Sequence, residues 1–279
     1  MTKIVFQRFR WVILLIFLNP VIHLNLFAQT SNSSHIDILK QDLTESGHDV
    51  FRYFTQPIRW DGADWLRFGG VLAVTGAAMP FDKRVRTEMQ DWRKPSNSAV
   101  FDFGRWAGQG EPTLVLGGLL YGTGWLGNYP DLRITGRLLF EAMLTAGTTT
   151  TILKGVIGRH RPYLNEGPQE YSPPAFKSRY RSLPSGHSTV GWLTAGVLAK
   201  RTDNTVLKVL YYTGASIISI SRIYHDRHWM SDVILGGFVG YTAADFVVSQ
   251  EAHRETMKSE KNYSLNVSAP PHISFTFWF

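Results

Sequence analysis

The sequence predicts an all-α protein: a membrane-embedded bundle of about six core helices with a short C-terminal β-hairpin. Three observations lead there. Apolar runs broken by short polar stretches recur from Val71 to Val248, and strand-like alternation is confined to the tail. Residues that open helices or interrupt the chain edge those runs, notably Pro112, Tyr129-Pro130-Asp131 and Ser185. A stripe of small residues, Gly236-x3-Gly240-x3-Ala244, allows close approach of one helix to another.

The 279 residues suffice for one large domain or two small ones. Hydrophobic residues make up 44% and the mean hydropathy is −0.11, between soluble and membrane values, so hydropathy alone decides nothing. The net charge of +7 comes from arginines scattered at the ends of apolar segments. That pattern suits anionic lipid or a phosphorylated substrate rather than a nucleic-acid groove. The chain has no Cys, so packing alone must hold it.

Residues 1–28 read as an export signal or N-terminal anchor: Lys3, Arg8 and Arg10 precede the apolar stretch Trp11 to Leu18, and Leu26-Phe27-Ala28 offers a cleavage site. Residues 29–110 form an N-terminal helical region. It has weak amphipathic helices around Ile36 to Leu43 and Val50 to Phe54, then an apolar run Val71 to Met79 ended by Pro80 and the charged stretch Asp82 to Lys94. Residues 111–250 form the core, with helices over about Thr113 to Trp125, Ile134 to Ile157, Ser185 to Arg201, Val206 to Ile220 and Ser231 to Ser249. A long Pro- and Tyr-containing loop, Gly158 to Leu183, interrupts it. Residues 251–279 are a tail in which Tyr263, Leu265 and Val267, then Ile273, Phe275, Phe277 and Phe279, alternate with other residues and predict the hairpin.

Three pieces of the core carry chemistry. Lys154 and Arg161, seven residues apart, share one face if the helix persists to Pro162. Pro184-Ser185-Gly186-His187 opens a helix; Ser185 is a good N-cap, Gly186 allows an anion near the backbone, and His187 stands at the mouth. Ser221 to Asp232 is a polar stretch between two apolar runs, with Arg222, His228 and Asp232. If a helix starts near His228, Asp232 lies on the same face. A carboxylate on one ring nitrogen then leaves the other as nucleophile or base. The same residues also read as an ordinary loop with a capping Asp, two cations at a helix C-terminus and a capped helix with an incidental His.

Together, Lys154-x6-Arg161-Pro162, Pro184-Ser185-Gly186-His187 and Ser221-Arg222-x5-His228-x3-Asp232 resemble the three-part signature of the type 2 phosphatidic acid phosphatase (PAP2) superfamily, which includes bacterial acid phosphatases and vanadium haloperoxidases. The resemblance covers about Pro112 to Ser249, half the chain, with no signature position missing. It implies a PAP2-type helical bundle and a metal-independent phosphatase without a cofactor. It further implies that Lys154, Arg161, Ser185, Gly186 and Arg222 bind phosphate. His228 is then the nucleophile, Asp232 its orienting partner, and His187 the acid and then base. The expected substrate is a phosphomonoester or diphosphate of a lipid or polyprenyl chain. The alternatives are a soluble periplasmic acid phosphatase, a vanadate-dependent haloperoxidase and a lipid-binding protein with a dead site. A metal site from His225, His228 and Asp232 competes locally, but Lys154, Arg161 and Arg222 would repel a metal ion.

The helices are marginal in length and polarity as membrane spans. Arg133, Arg137, Lys200, Arg201 and Lys208 at the end opposite the site favour placing that end in the cytoplasm. The expected location is therefore the inner membrane, with the site facing the periplasm and Val71 to Met79 packed without crossing.

Overall fold

The computed structural model describes residues 34–268. The 1–28 segment and the second expected strand of the hairpin, Ile273 to Phe279, lie outside them. Among the described residues the fold is all-α: α1 (His35–Thr55), α2 (Gly62–Ala78), α3 (Asp82–Trp92), α4 (Ser98–Ala107), α5 (Gly110–Leu126), α6 (Pro130–Ile157), α7 (Gly186–Lys200), α8 (Thr205–Tyr224) and α9 (Met230–Ser268).

Local chemistry sets the ends. Asp61 and Asp64 form a reciprocal capping box at the start of α2. Pro130 occupies the first turn of α6, where its missing N–H costs nothing. Ser185 caps α7, and the Asn204 side chain accepts the Val206 and Leu207 N–H groups at the start of α8. Gly158 ends α6 in the left-handed region at φ 68°; a Cβ there would lie 2.6 Å from the Ser172 carbonyl oxygen. The helix therefore does not persist to Pro162, and Arg161 comes from the loop beyond it.

Leu138, Leu139, Ala142 and Ala146 of α6 pack with Leu193 and Val197 of α7, Tyr211 and Ala215 of α8, and Ala243 and Val247 of α9. The small-residue stripe does what its spacing predicts. A Cβ on Gly240 would lie 2.2 Å from the Thr189 carbonyl oxygen, and one on Gly236 would lie 2.4 Å from that of Ser185. The backbones of α7 and α9 thus meet, and Ser185 donates its N–H to the Asp232 carbonyl (2.8 Å). Two of the three sequence pieces are brought together by this contact.

Two elements differ from expectation, and a third had no element assigned from the sequence. The two weak N-terminal helices are one, α1, which binds α6 and α9 through Asp42, Glu45 and Asp49 on its inner face. The charged stretch Asp82 to Lys94, which ends the apolar run, is itself helical over α3. The expected first hairpin strand, Tyr263 to Val267, is helical and continues α9. Once a helix is nucleated, each added residue gains a hydrogen bond, and this outweighs a short alternating pattern that has no strand to pair with among the described residues.

Apolar side chains also point outward: Leu66, Leu72 and Val74 on α2, Leu114, Val115 and Leu119 on α5, Leu144, Ile152 and Val156 on α6, and Val206, Val209 and Leu210 on α8. One helix among the described residues, over Met230–Glu260, is long and apolar enough to cross a membrane, and 67% of its most apolar window is buried in the bundle.

Candidate active site

The site lies where α6 ends, α7 begins and α8 turns into α9. The chain leaves α8 at Tyr224 and enters α9 at Met230, so Arg222 stands on the last turn of α8 and His228 in the short turn between. The Arg227 and His228 N–H groups both bond to the Arg222 carbonyl (3.0 and 3.3 Å), folding the turn back onto the helix. His228 is buried, and its Nδ1 lies 3.5 Å from both Asp232 Oδ2 and Ser182 Oγ. These separations are longer than a closed hydrogen bond, as is common before a ligand tightens a site.

Asp232 is wholly buried and fully engaged. Its Oδ2 accepts from Ser182 Oγ and from the Trp229 N–H (2.9 Å); its Oδ1 accepts from Arg159 Nη1 (2.8 Å). It is both the capping Asp of the plain reading and the carboxylate that faces His228.

Lys154 donates to the Arg181 and Ser182 carbonyls (2.9 and 3.3 Å), which ties the end of α6 to the strand of chain that leads into α7. Arg161 Nε donates to the Ser178 carbonyl (3.0 Å). Arg222 is buried, and its Nε and Nη1 have no hydrogen-bond partner among the described residues. Ser185 Oγ is buried and accepts from the Ser188 N–H and hydroxyl (3.4 and 3.0 Å), so it serves as helix cap. Gly186 lies beside Lys154: a Cβ there would be 3.8 Å from Lys154 Cε. Lys154, Gly186 and His187 share a cavity of about 380 Å³ with Met143, Gly147 and Thr150 of α6. The eight residues singled out from the sequence thus gather at one end of the bundle, with Ser185 turned inward as a cap.

Burial, followed by the charges of Lys154, Arg161 and Arg222 and the neighbouring His187, holds the His228 pKa well below that of an ordinary histidine. Its ring is neutral and carries a lone pair. Burial, then Arg222, Lys154, Arg161 and Arg105, pulls His187 down to about 3. Burial is the larger cause of both shifts, and the cations that add to it, Lys154, Arg161 and Arg222, suit this region to anions.

The other candidate histidines point elsewhere. His225 Nε2 lies 3.3 Å from the Phe101 carbonyl and 3.5 Å from Asp102, so it is not gathered with His228 and Asp232. His160 bonds Ser172 (2.8 Å) and stacks on Tyr180 at 4.3 Å. Of the loop aromatics, Tyr163 lies under Arg227 and Tyr180 under His160, and Phe176 is exposed.

Sequence reasoning missed Arg159, Ser182 and Asp82. Arg159 is fully buried, bridging Asp232 to Asp82 (2.7 Å). Nothing local sets it apart from the neighbouring cations; its partner lies 77 residues away.

A histidine–carboxylate pair beside a buried cationic cradle, at the end of an all-α bundle, defines an anion-handling site of the kind the three sequence pieces imply. Residues 135–255 match the family model described as the PAP2 superfamily, so the chain carries a PAP2 superfamily domain over that stretch. A lipid A 1-phosphatase of Porphyromonas gingivalis is 41% identical over 61 residues, which is 21% of this chain and 14% of that protein's length. The chain therefore spans only a small part of that curated relative. The crystal structure of Aquifex aeolicus LpxE is 20% identical and covers 61% of this chain and 95% of its own (TM-score 0.49). That of a transmembrane PAP2-type phosphatidylglycerolphosphate phosphatase from Bacillus subtilis is 20% identical, covering 67% and 94% (TM-score 0.48).

Proposed function

We propose that the protein is a metal-independent phosphatase that hydrolyses a phosphomonoester or diphosphate of a lipid or polyprenyl substrate through a phosphohistidine. The observation that carries this reading is Arg222: a buried guanidinium with unpaired N–H groups, beside a neutral histidine backed by a carboxylate. An unpaired buried charge is costly unless a counter-charge meets it, and a phosphoryl group supplies both the charge and the acceptors.

Asp232 faces Nδ1 of His228, which leaves Nε2 to attack phosphorus. A nitrogen–phosphorus bond forms as the ester oxygen leaves, and the departing alkoxide takes a proton from His187. Lys154, Arg161, Arg222 and the N-terminus of α7 stabilise the charge on the phosphoryl oxygens. Water, deprotonated by His187, then attacks phosphorus, releases phosphate and restores His228. His187 must carry a proton in the first step. Cations and burial oppose this; a bound phosphoryl dianion offsets the cations and brings the proton back.

Two features favour a lipid over a soluble ester. An apolar cleft of about 90 Å³ runs down α7 one turn from His187, lined by Phe103, Trp106, Leu116, Gly191 and Ile218. The outward apolar faces of α2, α5, α6 and α8 suit a bundle set in a bilayer. An inner-membrane location with the site facing the periplasm belongs to the same proposal. At the opposite end, Arg133, Arg137, Lys200 and Arg201 are all taken up in ion pairs.

The test is phosphate release by detergent-extracted protein in excess EDTA, from phosphatidic acid and from a water-soluble aryl phosphate, beside His228→Ala. Release that survives EDTA, favours the lipid and is lost in His228→Ala is the expected result. Preference for the aryl ester would move the reading to an acid phosphatase of broad specificity. Near-normal release by His228→Ala would sink the mechanism.

A further inference from the structure

We propose that α3 is a positioning element for the reaction, and that Asp82, acting through Arg159, sets the geometry of the His228–Asp232 pair. The proposal rests on the phosphatase reading above and extends it to a helix outside the stretch matched to the family.

Three α3 residues spaced four apart hold the turn that carries Arg222 and His228. Gln90 Nε2 donates to the Ile223 carbonyl (3.0 Å). Arg86 donates from Nε and Nη2 to Asp226 (2.6 and 2.8 Å) and lies over the Trp229 ring at 5.6 Å. Asp82 accepts the Ser231 N–H (2.9 Å) and the Ser231 hydroxyl (2.6 Å), fixing the first turn of α9. Residues at i, i+4 and i+8 share a helix face, so α3 presents one polar edge along the whole turn.

Asp82 also reaches the reacting pair. Its Oδ2 accepts from Arg159 Nη2 (2.7 Å). Arg159 has five N–H donors, and all five are used: Nε and Nη2 on the Pro168 carbonyl, Nη2 on Asp82, and Nη1 on Ser231 Oγ and on Asp232 Oδ1. With Oδ1 held there, and Oδ2 held by Ser182 and the Trp229 N–H, the Asp232 carboxylate cannot turn away from His228. Asp82 and Arg159 are both wholly buried, so water does not compete for these bonds. Asp82 also shares the Arg159 charge. Without it the guanidinium would pair with Asp232 alone, and less negative charge would be left to orient the imidazole.

The experiment uses the full chain with Asp82→Asn, Asp232→Asn and the double variant, each scaled to folded protein. Asp82→Asn is expected to lower kcat by about tenfold to a hundredfold, the usual loss when a group holding a reacting residue is removed, with KM changed less than about twofold. Adding Asp82→Asn to Asp232→Asn is expected to cause no further loss, because the two act through one another. A purely architectural role would instead multiply the two losses, and that result overturns the proposal. Gln90→Leu, a milder change on the same edge, gives a smaller kcat loss at constant KM if Asp82→Asn does not fold; full activity would overturn the proposal. A second readout does not need turnover: nitrogen NMR of histidine-labelled protein reports the His228 tautomer. The unmodified protein should hold one Nδ1–H form and Asp82→Asn a mixture. Unchanged His228 lines and unchanged kcat would end the proposal and leave the phosphatase reading intact. If the unmodified protein releases phosphate from no ester, the phosphatase reading falls and the His228 lines alone decide this one.

Discussion

At the end of the bundle flanked by α1, buried and half-buried arginines meet carboxylates. Arg137 bonds Glu45 and Glu251, Arg133 bonds Asp42, and Arg254 bonds Asp49 at 2.6 Å. At the end flanked by α3, Arg222 is as deeply buried, 5% exposed against 3% for Arg137, yet it pairs with no carboxylate and its Nε and Nη1 have no hydrogen-bond partner among the described residues. Burial alone therefore does not mark a functional arginine; the state of its partners does. Arg137 Nε also makes no hydrogen bond among the described residues, but the Arg137 charge is met by carboxylates, whereas that of Arg222 is met only when an anion arrives.

The largest expected effect would break the matched end. Arg137→Met removes the buried guanidinium that Glu45, Glu141 and Glu251 share, leaving Arg254 and Lys258 as the cations beside them, and breaking such a buried cluster costs about 3–5 kcal/mol. For a chain of this size that is roughly 10 °C in Tm, while kcat per folded molecule stays within about twofold. The check is a thermal melt beside phosphate release. A normal melt, or a large loss of kcat in protein that is still folded, would show that the two ends are not separate.

Arg222→Met is the converse. It is expected to lower kcat/KM by about 10²–10³, the typical loss of one preorganised donor, with Tm unchanged or raised because an uncompensated buried charge has gone. Arg222→Lys should recover only part of the activity, since an ammonium lacks the planar fork. A stability loss as large as that of Arg137→Met would mean that Arg222 has a protein partner after all.

The contrast between the ends also explains what the sequence made legible. Lys154, Arg161, His187, Arg222, His228 and Asp232 could be singled out because they stand at or just beyond helix ends, in three pieces whose internal spacing is local. The helices α5 to α8 were readable within a few residues because caps and breakers such as Pro130, Ser185 and Asn204 act locally. Arg159 was not readable, since it sits among other cations and its meaning comes from Asp82, 77 residues away. For the same reason Asp82 read only as the start of a charged stretch. The inner face of α1 is invisible locally, because a helix that buries Asp42 and Asp49 reads as weakly amphipathic until Arg133 and Arg254 are in place. Pairings across long stretches of chain belong to the fold, and these are the contacts that position the site without touching substrate.

The smallest expected effect sharpens the contrast at His187. In the protein alone, burial and four cations hold its pKa near 3, so the ring is neutral at pH 6. A group whose pKa is depressed by cations regains protons when an anion is placed among them. Saturating inorganic phosphate, or vanadate as its analogue, should therefore raise the His187 pKa by about one to two units. The shift is read by NMR of histidine-labelled protein titrated with and without the anion. By linkage, the same coupling makes phosphate bind more tightly as pH falls through that range. It should vanish in Arg222→Met, where the free His187 pKa already starts higher and the anion binds weakly. A His187 line that ignores saturating phosphate would place the anion elsewhere and remove His187 from the leaving-group side of the reaction. A line that moves in the unmodified protein and stays still in Arg222→Met would tie the proton on His187 to the arginine that the fold leaves unmatched.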